Sequence, residues 1–371
     1  MTNERPRLTP LAESLPSTVP FVGPENQERK RGRPFRARLG ANENGFGPAP
    51  SVQRAMAQAA GSMWKYCDPD NHDLKAAVAA HLGVPFETVA IGEGIDGLLG
   101  LAVRLYADRG TPVVTSLGAY PTFNYHVAGF GARLVTVPYE HDRESLERLL
   151  AAVKAEGSPL VYLSNPDNPM GTWWEATEIE RFVERLPATT MLLLDEAYGE
   201  TAPASALPPL DPRRPNVLRL RTFSKAYGLA GLRCGYAIGH PAAILAIDKV
   251  RNHYGMNRMA QVAGVAALAD TAYLADVTAR IAASRDEIAR IGRANGLKPI
   301  PSATNFVALD AGADGAYALR LMQALLARDV FVRKPMAPGL DRCIRVSTGP
   351  ADEVAIFAAE LPGAIADARG N

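Results

Sequence analysis

Cysteine is scarce in this 371-residue chain: Cys67, Cys234 and Cys343 are widely spaced and odd in number. They form neither a disulfide framework nor a CxxC pair, and a reducing cytoplasm is the expected compartment. Net charge is almost absent. Forty Lys and Arg against 39 Asp and Glu leave +1, so no global field gathers nucleic acid or an anionic membrane. No apolar run approaches the ~20 residues of a membrane-spanning helix. The opening Met1-Thr-Asn-Glu-Arg-Pro-Arg7 lacks the apolar centre of a signal peptide. His72, His81, His126, His141, His240 and His253 show no HExxH or paired-ligand spacing, so no metal is expected. Repeats and low-complexity segments are missing too.

What remains is an ordinary globular composition, 47% hydrophobic, in a chain long enough for two domains and a sizeable core. Residues 1–38, rich in Pro, Arg and Glu with little periodicity, read as an arm. From 39 to about 250, short apolar strands alternate with helical patterns. The strands are expected at 88–91, 112–115, 133–137, 160–163, 190–194 and 217–220, with helices at 145–155 and 175–185. The predicted class is α/β: a mostly parallel central sheet flanked by helices. Residues 251–371 read as a smaller α+β domain. It begins with a long Ala-rich helix over 261–294, followed by strands at 306–309, 330–333 and 343–346 and a helix at 317–327.

Chemistry concentrates in a few segments. Lys225 lies in Arg221-Thr-Phe-Ser-Lys-Ala-Tyr-Gly-Leu-Ala-Gly-Leu-Arg-Cys-Gly235, a small-residue, aromatic-lined loop after an apolar strand. A lysine there can lose its proton and attack an aldehyde, although most lysines are solvated surface charges. Asp195 ends the apolar run Leu192-Leu-Leu-Asp195, where open α/β sheets place their sites. It can face a protonated pyridine nitrogen. Together these groups point to pyridoxal 5'-phosphate, a cofactor that acts as an electron sink. Tyr198 and Asn168, the latter in a Ser164-Asn-Pro-Asp-Asn-Pro-Met-Gly171 turn, can donate to the ring's phenolate oxygen. Arg233, Thr222 and Ser224 suit a phosphate. So do the backbone amides of Ile95 and Asp96, where Gly92-Glu-Gly-Ile-Asp-Gly97 opens a helix over 98–105. Tyr120 can stack on the ring. Arg345 and Arg333 interrupt apolar strands of the tail, as snorkelling residues do, and are candidates to grip a substrate anion.

These pieces, in their order, resemble the fold-type I pyridoxal-phosphate-dependent aminotransferases, in particular the histidinol-phosphate aminotransferase branch. The resemblance runs from about Leu39 to Gly349. It is carried by Leu39-Gly-Ala-Asn-Glu-Asn44, Tyr66 with Asp68-Pro69, Ala119-Tyr-Pro121, Asn168-Pro-Met-Gly171, Asp195-Glu-Ala-Tyr198, Ser224-Lys225 through Arg233, and Ile344-Arg-Val346. It implies a homodimeric transaminase passing an amino group to a 2-oxo acid such as 2-oxoglutarate. Lys225 would carry the cofactor and shuttle the proton, Asp195 would hold the ring nitrogen, and Asn168 and Tyr198 the phenolate. Ile95, Asp96, Thr222, Ser224 and Arg233 would bind the phosphate, with Tyr66 from the neighbouring subunit. Arg345, Arg333 and Asn44 would meet the substrate. The arm would pack partly on the partner. Gly45, Met170 and Gly97 depart from the family's usual Pro, Thr and acid; none touches the core chemistry, and Gly45 and Gly97 bear on the substrate or phosphate surroundings. Relatives of the branch take aromatic amino acids or decarboxylate a phosphorylated one.

Other readings compete. Gly92 to Gly97 matches G-x-G-x-x-G, so a nicotinamide-dependent oxidoreductase is the rival. However, the following strand, Pro112-Val-Val-Thr-Ser-Leu-Gly118, lacks the acid that would hold a ribose. Arg31-Gly-Arg-Pro34 matches the core of minor-groove AT-hooks, which would make the arm a DNA-binding element. Ser62-Met-Trp-Lys65 fits S-x-x-K without the partner triads of β-lactamase-like enzymes. A catalytically silent regulator of the same fold is countered by the complete set of lysine, aspartate and arginines.

Overall fold

The computed structural model describes residues 6–17 and 23–370, so residues 1–5 and 18–22 of the expected arm lie outside the described residues. Seven strands make the main sheet: β1 (Val89–Gly92), β2 (Pro112–Ser116), β3 (Arg133–Val137), β4 (Leu160–Ser164), β5 (Met191–Asp195), β6 (Val217–Thr222) and β7 (Gly235–Gly239). Their order is β1-β7-β6-β5-β4-β2-β3. All neighbours are parallel except β7, which runs against both β1 and β6.

Continuous burial explains why β4 and β5 read as unbroken apolar runs: every residue of both is inside. Helices Gly94–Tyr106, Pro121–Gly129 and Pro241–Ile247 pack in one cluster, built around Leu99, Phe123, Tyr162 and Leu193. Leu146–Glu156 and Ala176–Arg185 pack in another, around Leu149, Val161, Phe182 and Leu192. Each fully buried Leu or Val contributes about 1.5–3 kcal/mol.

Register sets the position of the site. Ser164 pairs with Asp195, Asp195 with Leu220, Thr222 with Gly235, and Gly235 with Gly92. The carboxyl ends of β4, β5, β6 and β1 therefore meet along one edge. Gly235 is needed where they converge, because a Cβ there would lie 2.8 Å from the Arg221 carbonyl and 3.1 Å from the Ile95 nitrogen.

A second sheet has the order β10-β9-β8, with β8 (Lys298–Pro299), β9 (Phe306–Asp310) and β10 (Cys343–Ser347), all antiparallel. Helices Gly315–Ala327 and Ala351–Gly370 cover it, with Leu321, Leu325, Phe357 and Leu361 fully buried. The predicted strand over 330–333 shortens to Val330–Phe331 and pairs in parallel with Ala37–Arg38.

Two expectations are corrected and one rival reading falls. The single helix over 261–294 is two helices, Arg258–Ala269 and Thr271–Ala294, bent by 85° at Asp270. The Asp270 carboxylate caps the second helix at the Tyr273 amide, which starts it anew. By length and composition only the bent pair passes jointly as a candidate span; no single described helix is long and apolar enough to cross a membrane. The first of the two packs against Pro50–Ala59 and His72–Leu82. The arm is more ordered than its composition suggested. Pro24–Arg31 is helical, and Arg31 and Arg33 share one carboxylate, Asp329, which offsets one of the two charges that the AT-hook reading needs free. Finally, β1 is an edge strand whose sheet partner is antiparallel, so the G-x-G-x-x-G segment does not open a parallel dinucleotide-binding unit.

Candidate active site

A cavity of about 320 Å³ opens at the carboxyl edge of the main sheet. Ten of the residues singled out by sequence line it: Ile95, Asp96, Tyr120, Asn168, Asp195, Tyr198, Thr222, Ser224, Lys225 and Arg233.

Lys225 is presented by a loop whose neighbours Phe223 and Ala226 are fully buried. Its Nζ donates to the Asn42 carbonyl oxygen at 3.0 Å and lies 5.6 Å from the centre of the Tyr198 ring. Burial, reinforced by the nearby Arg345 charge, lowers its pKa to about 8. At pH 7 roughly a tenth of such lysines are neutral nucleophiles.

Asp195 takes a hydrogen bond from the Tyr162 hydroxyl at 2.8 Å on Oδ2 and one from the Ala197 amide at 2.9 Å on Oδ1. Burial nevertheless raises its pKa to about 6, with these two donors opposing the rise. A cation placed against it would restore the carboxylate.

At one end of the cavity the helix Gly94–Tyr106 begins. Asp96 lies in its first turn, accepting from the Tyr120 hydroxyl at 2.8 Å and pairing with Arg233 at 3.2 Å. Arg233 has a left-handed backbone (φ 53°) and reaches toward the Ser224 hydroxyl at 3.5 Å. The Thr222 and Ser224 hydroxyls are 2.9 Å apart. Gly94 keeps this corner open, since its φ is +72° and a Cβ would stand 2.7 Å from an Arg233 nitrogen. The result is an anion cradle of helix amides, two hydroxyls and a guanidinium.

At the other end, Tyr198 accepts from the Asn42 amide at 3.1 Å and packs edge-on against Phe306. Burial pushes its phenol pKa up. Arg345 donates to Asn168 Oδ1 at 2.6 Å, and its Nε is buried with no hydrogen-bond partner. Burial lowers its pKa to about 10. Arg333 sits beside it through a pair of backbone hydrogen bonds.

Four of the fourteen candidates are not part of the cavity wall: Arg345, which touches it through Asn168, Arg333 beside it, and Tyr66 and Asn44. Tyr66 is 81% exposed, its ring 5.1 Å from that of Tyr254. The Asn44 amide is engaged with the Ala226 carbonyl and the Phe46 amide. The residue of that segment that faces the lysine is Asn42. Its backbone is left-handed (φ 54°), and both its amide and Oδ1 hydrogen-bond to the Ser347 hydroxyl on β10. Tyr162 also escaped the sequence reading. The signal was a polar-tipped ring inside a fully buried strand, which needs a partner for its hydroxyl. Met170, where the resembled family has Thr, is fully buried with Ile300, Ala308 and Cys343, away from the cavity wall.

Comparison with known proteins agrees with this geometry. The model of the family described as aminotransferase class I and II matches residues 37–361. The histidinol-phosphate aminotransferase of Anaeromyxobacter sp. (strain Fw109-5) is 36% identical over 351 residues, covering 93% of this chain and 95% of the relative. The crystal structure of histidinol-phosphate aminotransferase from Sinorhizobium meliloti, in complex with pyridoxal-5'-phosphate, superposes with a TM-score of 0.95 at 58% identity, covering 99% of both chains. L-threonine-O-3-phosphate decarboxylase from Porphyromonas gingivalis, at 20% identity and a TM-score of 0.77 over 88% of this chain and 98% of that one, shares the fold alone.

Proposed function

The chain belongs to the class I and II aminotransferases, and on that premise we propose that its amino donor is a phosphorylated amino alcohol of the histidinol phosphate kind and its acceptor a 2-oxo acid such as 2-oxoglutarate. It is a pyridoxal-phosphate-dependent transaminase. The observation that carries the reading is one cavity holding a lysine softened toward neutrality, a buried carboxyl able to face a ring nitrogen, and an anion cradle at its end.

The side chains present fit the cofactor. Asp195 is a buried acid wanting a cation, Arg233 with Ser224, Thr222 and the Ile95 and Asp96 amides suits a phosphate, and Gly94 leaves room for it. Bound pyridoxal phosphate supplies a reactive carbonyl carbon and a ring that withdraws electrons from the substrate's α-carbon.

The protein's part is attachment, orientation and proton handling. Lys225 Nζ would be the attachment point and, when free, the base that takes the substrate's α-proton and returns it. Asp195, kept in place by Tyr162 and the Ala197 amide, holds the charge that complements a protonated ring nitrogen. Tyr198 and Asn168 would donate toward the phenolate oxygen, and Tyr120 would pack on the ring. Arg345, with Arg333 beside it, anchors the substrate's anionic group. Its unpartnered Nε leaves donor capacity for that purpose.

A homodimer and a cytoplasmic location belong to the same reading. Trp64 and Tyr66, each 81% exposed, and Tyr254 form an aromatic surface suited to a second copy, from which Tyr66 reaches the neighbouring site. The three cysteines are free and buried.

The deciding experiment is a panel of donors, histidinol phosphate, phenylalanine and tyrosine, each with 2-oxoglutarate, alongside a phosphorylated amino acid assayed for carbon dioxide release. A kcat/KM for histidinol phosphate at least tenfold above the aromatic donors is expected. The reverse order assigns the enzyme to aromatic amino acids, and release of carbon dioxide from a phosphorylated amino acid assigns it to decarboxylation.

A further inference from the structure

Beneath the turn that presents Asn168 lies a polar cluster which the reaction described above does not use. Glu144 is 1% exposed and Asp167 2% exposed. The Ser164 hydroxyl stands between them, 2.8 Å from Glu144 Oε1 and 3.2 Å from Asp167 Oδ1. A hydroxyl has one proton to give, and an ionised carboxylate only accepts. Two ionised carboxylates flanking one hydroxyl would leave an acceptor facing an oxygen with nothing between them, inside a region that water does not screen.

The remaining partners are unequal. Asp167 takes the Tyr139 hydroxyl at 2.8 Å on Oδ1 and the Met170 amide at 3.0 Å on Oδ2, and it feels the charge of Arg345. Glu144 takes the Ser164 amide at 2.9 Å on Oε1, and the Ser116 hydroxyl lies close enough to lower its proton affinity, but its Oε2 is buried and makes no hydrogen bond of ordinary geometry. Charge therefore settles on Asp167 and the proton on Glu144. The other titratable groups that feel the pair are Tyr139, Tyr162, Tyr198 and Arg345. Arg345 has no carboxylate within ion-pair distance among the described residues. Asp167 is thus the buried anion that helps keep this guanidinium charged.

We propose that Glu144 and Asp167 are positioning residues: two buried carboxyls, joined through the Ser164 hydroxyl, that hold one proton between them and keep a single negative charge beneath Asn168 and Arg345. Burial raises the proton affinity of both groups, and the Asp167 charge raises that of Glu144 further, in agreement with the geometry. Pro166 and Asn168 of the turn, and Ser164 itself, form cavity wall, so this charge sits close behind the cofactor pocket. The inference rests on the pocket holding pyridoxal phosphate but not on the identity of the donor.

The test has two arms. In the first, infrared spectra of the purified enzyme carrying isotope-labelled glutamate are expected to show a protonated carboxylic C=O stretch at pH 6 that Glu144→Gln removes. A wild-type spectrum without that band, or a band that survives in Glu144→Gln, overturns the shared proton. In the second, the pH midpoint of the visible band of enzyme-bound pyridoxal phosphate is measured in wild type, Glu144→Gln and Asp167→Asn. Asp167→Asn removes a nearby negative charge and lowers the midpoint by about one unit. Glu144→Gln exchanges a neutral acid for a neutral amide and leaves it in place. Both midpoints falling together, neither moving, or only that of Glu144→Gln falling each overturns the proposal. If wild type takes up no pyridoxal phosphate at all, it is the cofactor reading that fails, and the infrared arm still stands.

Discussion

Tyr162, in the middle of one buried strand, donates its hydroxyl hydrogen to Asp195 Oδ2, at the end of the next, across 2.8 Å. The ring of Tyr162 is fully buried and stacked on Phe123 at 4.7 Å, so the donor is fixed by packing. Tyr162→Phe keeps the stack and removes the bond. The loss costs about 1–3 kcal/mol of support for the ionised carboxyl. Because that bond holds the Asp195 pKa down, its loss shifts the acidic limb of the kcat/KM profile to higher pH. Profiles with unchanged acidic limbs would show that Tyr162 only fills space.

Lys225 titrates near 8 in the cofactor-free protein, mainly through burial and next through Arg345. The rate of pyridoxal phosphate incorporation into the apoenzyme should rise with pH and reach half its maximum near 8. Removing the neighbouring positive charge raises the lysine pKa, so Arg345→Gln moves the curve to higher pH. Lys225→Ala abolishes incorporation and turnover, leaving at most loosely bound cofactor. Stopped-flow absorbance across pH 6 to about 10 reads all three.

Asp195 makes the apoenzyme pH-sensitive. Its folded-state pKa is raised from 3.8 to about 6. Below about pH 4 the carboxyl is protonated in folded and unfolded chains alike, and it contributes no difference. As pH rises through the interval to 6, the unfolded chain releases the proton first, and the folded state loses stability on the order of 3 kcal/mol. Apo Asp195→Asn lacks this loss, so it unfolds at higher denaturant than apo wild type above pH 6, while its turnover falls by orders of magnitude. Equal urea midpoints for the two apoproteins at pH 7 would contradict the assignment.

Gly94→Ala places a methyl group 2.7 Å from an Arg233 nitrogen at a residue with φ +72°. The backbone penalty is about 1 kcal/mol, and Arg233 must move off the cradle. Affinity for pyridoxal phosphate is expected to drop at least tenfold in equilibrium dialysis, with a smaller effect on kcat at saturating cofactor.

The strands of the main sheet were legible because burial on both faces writes continuous apolar runs. Arg133–Val137 matched to the residue, the strands beginning at 112, 160 and 217 lengthened by one or two residues, and those expected at 88–91 and 190–194 shifted by one. Gly235–Gly239 was not, since Gly-Tyr-Ala-Ile-Gly is short, glycine-bounded and antiparallel among parallel neighbours. The break at Asp270 was hidden because alanines on both sides keep helical periodicity, while the capping choice depends on tertiary packing with Ser51. Within the site, residues at strand ends and in the lysine loop were readable from chemistry alone. Asn42 was not separable from Asn44, two positions on, because which amide turns inward depends on a left-handed backbone that sequence does not mark. Glu144 is distant in sequence from Asp167 and sits in a loop with no motif.

Ala37–Arg38 pairs with Val330–Phe331, and four residues later Asn42 clasps Ser347 on one side and Lys225 and Tyr198 on the other. The stretch from Ala37 to Asn42 is therefore part of the site's framework. An expression variant trimmed to start at residue 39 would strip the smaller sheet region of its borrowed strand, loosening the stitch that fastens the lysine's hydrogen-bond acceptor to the far end of the chain.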